Sequence, residues 1–128
     1  MPTPLQLAAE NGHESVAKLL LAHADIDLHA KNGWRPTPLQ LAVENGHESV
    51  VKLLLARADI DVNLKNGWRP TPLQVAAENG HESVVKLLLA RTDIDVNPKD
   101  RTGCTLLSWA KYRGHKHIVE LLLAHQAI

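Results

Sequence analysis

Residues 37–70 read TPLQLAVENGHESVVKLLLARADIDVNLKNGWRP, and the chain repeats nearly the same wording before and after them. Thr3, Thr37, Thr71 and Thr105 stand 34 residues apart, and behind each a glycine (Gly12, Gly46, Gly80, Gly114) and an LLL run keep their spacing. With self-similarity at such a period, one repeat is one supersecondary unit that buries its apolar face only by stacking on its neighbours. The expected organisation is a single domain over residues 1–128, with repeats at 3–36, 37–70, 71–104 and 105–128.

Within a repeat the local signals are consistent. In TPLQ the Thr can cap a helix, Pro is tolerated at the first helical position, and Gln three residues on completes a capping box. The first helix is expected to run to about Asn11 and to stop at Gly12, which can take the left-handed conformation just past a helix. A second helix is expected from about Glu14 to His23, with Val16, Leu19, Leu20 and Leu21 spread over a face too wide for a surface helix, as if covered on several sides. Ile26, Leu28 and the Asn32-Gly33 pair then read as a hairpin-like projecting loop over residues 25–36, repeated at 59–70 and 93–104. Two kinds of tip occur, since the second loop keeps Asn66-Gly67 while the third reads KDRTG.

Composition narrows the functional classes. The 128 residues are 45% apolar but only 3% aromatic, with no Phe, so the core is expected to be aliphatic. Fourteen basic and fourteen acidic side chains cancel, which leaves no long-range field to favour nucleic acid or an anionic membrane. A single cysteine, Cys104, excludes an internal disulfide framework. No apolar run reaches the roughly 20 residues that span a bilayer. MPTPLQ does not resemble a signal peptide, so a cytoplasmic location is expected.

Residues that could carry chemistry recur once per repeat, and that recurrence speaks for scaffold. His13, His47, His81 and His115 are 34 apart. Stacked equivalents lie about 8 to 10 Å from one another, whereas zinc needs ligands near 2.0 Å, so these histidines are expected to tie helix ends to loops and to hold no metal. Ser15, Ser49 and Ser83 sit beside Glu and His in the same GHES string three times, while a catalytic triad is one singular arrangement in a pocket. Cys104 near Arg101 reads as a loop thiol. No phosphate-binding glycine loop and no basic stripe is present. The expectation is a non-enzymatic chain without cofactors.

TPLQLA, NGH, VVKLLLA and DIDVN, in that order, resemble the pattern of ankyrin repeats, TPLHxAA, GH, VVxLLL and ADVN. The resemblance covers essentially the whole chain. A tetratricopeptide repeat would also fit the period, but its Trp, Leu-Gly and Tyr pattern is missing. Three departures stand out: one extra residue in ARADIDVN, Gln6, Gln40 and Gln74 in the place of the family's His, and Arg35 and Arg69 in the place of the turn glycine that Gly103 fills. The wording DIDVN and AAENGHE is similar to ankyrin arrays of filamentous fungi.

The resemblance implies an all-α solenoid of four stacked helix pairs with three projecting hairpin-like loops, binding a protein or peptide on a concave face and at the loop tips. Carried onto matching positions, that surface comprises Trp34, Arg35, Trp68, Arg69, Arg101 and Thr102 from the loops. The first helices would add Glu10, Asn11, Glu44, Asn45, Glu78, Asn79, Tyr112 and Arg113. Trp34 and Trp68, each followed by Arg, would form a ladder of side chains enriched at binding hot spots, or would fold down to cover the neighbouring loop. Trp109, in the place of Leu7, Leu41 and Val75, is expected in the core.

The ends of the array differ. The fourth segment carries Lys111, Tyr112, Arg113, Lys116, His117 and Glu120 among the constant residues, as a solvent-tolerant terminal repeat should. The first begins at Thr3 with no loop ahead of it and no such polar dressing, so an exposed aliphatic edge and weak self-association through it are expected. The first and second segments differ at only 6 of 34 positions, and the second and third at 9 of 34. Such identity leaves two alternatives to a natural binding module: an engineered or excised scaffold without a ligand, or the sensor array of a fungal immune-type receptor.

Overall fold

Every repeat contributes two short antiparallel helices, set by its own capping signals. The computed structural model describes residues 2–29, 36–64, 70–96 and 105–126. Its pairs are α1 (Pro4–Asn11) with α2 (Glu14–Leu21), α3 (Pro38–Glu44) with α4 (Glu48–Leu55), α5 (Pro72–Asn79) with α6 (Glu82–Leu89), and α7 (Leu106–Arg113) with α8 (Lys116–Gln126). No strand occurs among the described residues. The inner helices stack as α1, α3, α5, α7 and the outer helices as α2, α4, α6, α8, each touching its neighbours in the row and its partner within the repeat. The chain is an all-helical solenoid.

The helix starts form as the sequence predicts. Thr3, Thr37 and Thr71 cap their helices by accepting the N–H of Gln6, Gln40 and Gln74. Each Gln Oε1 in turn accepts the Thr N–H at 2.8 Å. These glutamines are 0%, 3% and 6% exposed, so the amide nitrogen left over needs a partner. In Gln6 it donates to the Pro36 carbonyl at 3.0 Å, and in Gln40 to the Leu64 carbonyl at 3.3 Å. Glutamine therefore caps the helix and ties it to a loop, which gives its place after TPL a physical reason. Ser108 holds the same position in the last repeat and bonds back to Thr105.

The helix ends are equally regular. Gly12, Gly46, Gly80 and Gly114 take φ between 69° and 75°, and the following histidine N–H reaches back to Ala8, Ala42, Ala76 or Ala110 at 2.9, 2.9, 3.0 and 2.9 Å. This is the Schellman closure that favours glycine. The next repeat comes close at the same spot. A Cβ on Gly12 would meet the His47 ring at 2.7 Å, one on Gly46 the His81 ring at 3.0 Å, and one on Gly80 the His115 ring at 2.9 Å.

The core runs in columns through the stack. Val50, Val84 and Ile118 are 0%, 2% and 2% exposed, and Leu54, Leu88 and Leu122 are 0%, 0% and 1%. Ala8, Ala42, Ala76 and Ala110 keep the inner helices close. Two expectations are corrected here. The second helix of the first repeat ends at Leu21 rather than His23, and it is not covered on several sides: Val16 is 45% and Leu19 71% exposed, because no described residue packs on its outer side. Trp109 is half-buried rather than core; in its column Leu41 is 6% exposed, Val75 is half-buried and Leu7 is 44% exposed, so burial at this position varies from repeat to repeat.

Leu54→Ala should lower stability by about 2 to 5 kcal/mol in a denaturant titration; a loss under about 1 kcal/mol would show that the LLL run is not the core. Gly80→Ala and Gly114→Ala share the left-handed strain of about 1 to 2 kcal/mol. Only Gly80 has a ring against it, so its substitution should cost at least about 1 kcal/mol more. Equal losses would show that the histidine ring yields freely.

Candidate protein-binding surface

The row of Glu-Asn pairs lies at the C-terminal ends of the inner helices, where the main chain is already committed to the next repeat. The His47 Nε2 lies 3.0 Å from the Glu10 carbonyl and the His115 Nε2 3.0 Å from the Glu78 carbonyl. A carbonyl can only accept, so Nε2 carries the hydrogen in both rings. The helix-end role expected of the histidines is what they perform at these two junctions. Among the described residues no group of three or more His, Cys, Asp or Glu side chains is placed to hold a metal ion.

With the backbone fixed, the side chains follow. Glu44 is exposed, and Glu10 and Glu78 are half-buried. Asn11, Asn45 and Asn79 are exposed, but the first two turn inward with one group: Nδ2 donates to the Leu7 carbonyl at 3.0 Å and to the Leu41 carbonyl at 2.9 Å. Arg113 pairs with Glu78 across the junction, Nη2 to Oε1 at 3.0 Å, so the acidic row ends in an ion pair. Tyr112 is 81% exposed and meets Trp109 edge to face, with ring centroids 6.1 Å apart and planes at 89°. Structure thus adds Trp109 to the surface, which substitution at a Leu/Val position in the sequence had concealed. Trp34, Arg35, Trp68, Arg69, Arg101 and Thr102 lie outside the described residues.

A second set of contacts fastens the segments that follow the outer helices. Arg57 grips Asp59 with both arms, Nε to Oδ1 at 3.1 Å and Nη2 to Oδ2 at 3.0 Å, and gives Nη1 to the Leu21 carbonyl of the preceding repeat at 2.9 Å. Arg91 repeats this with Asp93 and the Leu55 carbonyl, at 3.0, 2.9 and 2.7 Å. Hydrogen bonding from the guanidinium holds the Asp59 and Asp93 carboxyls below their ordinary value and raises Arg91 above its own. Further along, Asn63 accepts the Asp95 N–H at 2.8 Å and donates to the Asp93 carbonyl at 2.8 Å. His29 replaces it one junction earlier, where Nε2 accepts the Asp61 N–H at 2.8 Å. The residue inserted in ARADIDVN thus lies in a segment closed by an Arg-Asp fork, which sequence spacing located but did not explain.

Two shallow recesses open at the last repeat. One is lined by Gly80, Glu82, Gly114, His115, Lys116, His117 and Ile118, and the other by Ala110, Lys111, Gly114, Lys116, Val119 and Glu120. Neither lining supplies a hydroxyl or thiol nucleophile. No helix among the described residues is long and apolar enough to cross a membrane.

The family profile described as ankyrin repeats (3 copies) matches residues 1–66 and again 59–128. The chain belongs to the ankyrin repeat family, whose members are generally protein-interaction modules and typically not enzymes. No curated protein matches the sequence.

Because folding lowers the Asp93 pKa, the contribution of its pair with Arg91 is complete above the ordinary carboxyl value near 3.8 and is lost as pH falls through the folded value. Asp93→Asn should therefore lose less stability than the unsubstituted chain between about pH 4 and pH 2 in urea titrations. Parallel losses would show that the fork contributes nothing to the fold.

Proposed function

We propose that this chain is a non-enzymatic protein-binding module whose partner lies along the inner-helix row and the loop tips. One observation carries the reading: Tyr112, 81% exposed, stands with Trp109 and Arg113 at one end of a line of glutamates, Glu10, Glu44 and Glu78. Aromatic and Arg side chains dominate interface energetics, and a regular acidic row favours basic groups spaced along an extended segment. The partner is a protein or peptide segment that brings Lys or Arg to the row and an apolar side chain to the Trp109–Tyr112 edge. Trp34, Trp68 and their arginines extend the same surface in this reading. Balanced charge argues against nucleic acid, and the lone cysteine agrees with a cytoplasmic setting.

The test is titration calorimetry against a panel of extended peptides, basic-apolar, acidic-apolar and neutral. Tight binding is expected for the first class alone. Tyr112→Ala should weaken it by at least about tenfold, near 1.4 kcal/mol, and Glu44→Lys by a comparable factor that shrinks with added salt. Preference for acidic peptides, or indifference to both substitutions, would overturn the reading.

A further inference from the structure

The segments that follow α2 and α4 are each tied to the next repeat by one side chain, and the two ties differ in chemistry. Residues 29 and 63 hold equivalent places in their repeats. At the later junction Asn63 accepts the Asp95 N–H at 2.8 Å and donates to the Asp93 carbonyl at 2.8 Å. A carboxamide does not titrate, so it keeps both roles whatever the pH. At the earlier junction the group that accepts the Asp61 N–H is the Nε2 of His29, at 2.8 Å.

A backbone N–H can only donate, so Nε2 of His29 presents its lone pair and the ring hydrogen is on Nδ1. An imidazolium carries hydrogens on both nitrogens and accepts nothing. Protonation therefore removes the acceptor on which this tie depends, and imidazole is the side chain whose charge changes between about pH 5 and 8. His47 and His115 answer in the opposite way. Their Nε2 atoms donate to the Glu10 and Glu78 carbonyls, and a second proton on the ring leaves those bonds in place.

The surroundings of His29 offer the charged ring other partners. On its own segment Asp27 lies two residues back, with Oδ1 accepting the His29 N–H at 3.1 Å. On the facing segment stand Asp59 and Asp61, both exposed, and Asp61 Oδ1 accepts the Asn63 N–H at 3.0 Å. Arg57 is the cation on that segment, and it is committed to Asp59 with both arms. The Asp59 carboxyl is held below its ordinary value by that guanidinium first, and in small part by His29, which places the ring within electrostatic reach of it. His29 itself is half-buried, so the ring can turn without opening the core.

We propose that His29 is a proton-operated latch between the first two repeats. Neutral, it holds the segment after α4 by the Asp61 N–H; protonated, it lets that N–H go and turns to the carboxylates beside it, while the Asn63 tie at the next junction stays closed. The Arg57 fork and the His47 bond still join the same two repeats, so what is freed is the stretch around Asp61 and not the junction as a whole. The latch does not depend on what the surface of the array binds.

Exchange of the Asp61 and Asp95 amide protons with water tests this, measured by NMR from about pH 8 to about pH 5 and corrected for the intrinsic rate, with circular dichroism showing that each variant is folded. Protection of Asp61 should fall roughly three- to tenfold, the change expected for one net hydrogen bond, at the midpoint of the His29 ring resonances. Protection of Asp95 should not move. His29→Asn should give Asp61 the flat profile of Asp95, and Asn63→His should give Asp95 the falling one. A flat Asp61 profile while the His29 ring titrates would overturn the proposal. So would a fall that persists in folded His29→Asn, or folded Asn63→His in which Asp95 stays flat.

Discussion

At each junction a histidine of one repeat rests on the left-handed glycine of the repeat before it. The close approach at Gly12, Gly46 and Gly80 leaves no room for a side chain, and at the first and last of these junctions the ring also takes up a helix-end carbonyl. One residue pair thereby stops a helix, satisfies a backbone group that helix geometry orphans, and sets how far apart consecutive units sit. The aliphatic columns supply most of the burial, but their register follows from where ring meets glycine.

That constraint also shapes what the chain presents outward. Equivalent residues are carried forward one unit at a time, so chemistry that occurs once per repeat is spread into a line and does not gather in a cleft. Glu10, Glu44 and Glu78 form a line of this kind, and variation comes from the last repeat, where Tyr112 and Arg113 replace Glu and Asn. The exposed Tyr112 ring against Trp109 is the part of the inner-helix row that breaks its own pattern.

Period, capping boxes and glycine stops were legible because each rests on local chemistry: Thr-Pro-Leu-Gln makes the same two hydrogen bonds wherever it occurs, and Gly12 ends its helix for reasons within six residues of it. The family wording sufficed for the architecture. What escaped were properties that depend on neighbours. Trp109 sits at a position that reads as apolar helix interior, yet burial there depends on the repeat, from Leu41 in the core to Leu7 in the open. The second amide bond of Gln6 and Gln40 and the bond from Arg57 to the Leu21 carbonyl join groups that are up to 36 residues apart in sequence, which no local pattern announces. Of the residues that the resemblance placed on the binding surface, those of the inner helices stand at or just past the C-terminal ends of α1, α3, α5 and α7, and the six in the loops lie outside the described residues.

The contacts that finish the helix ends have a direction. Histidine and arginine both reach from a later unit to carbonyls of an earlier one: His47 to Glu10, Arg57 to Leu21, Arg91 to Leu55, His115 to Glu78. A repeat's helix ends are therefore finished by the residues that come after it in the chain. During synthesis from the N-terminus, each unit leaves the ribosome with open carbonyls and is closed when its successor emerges, so the array is completed in the order in which it is made.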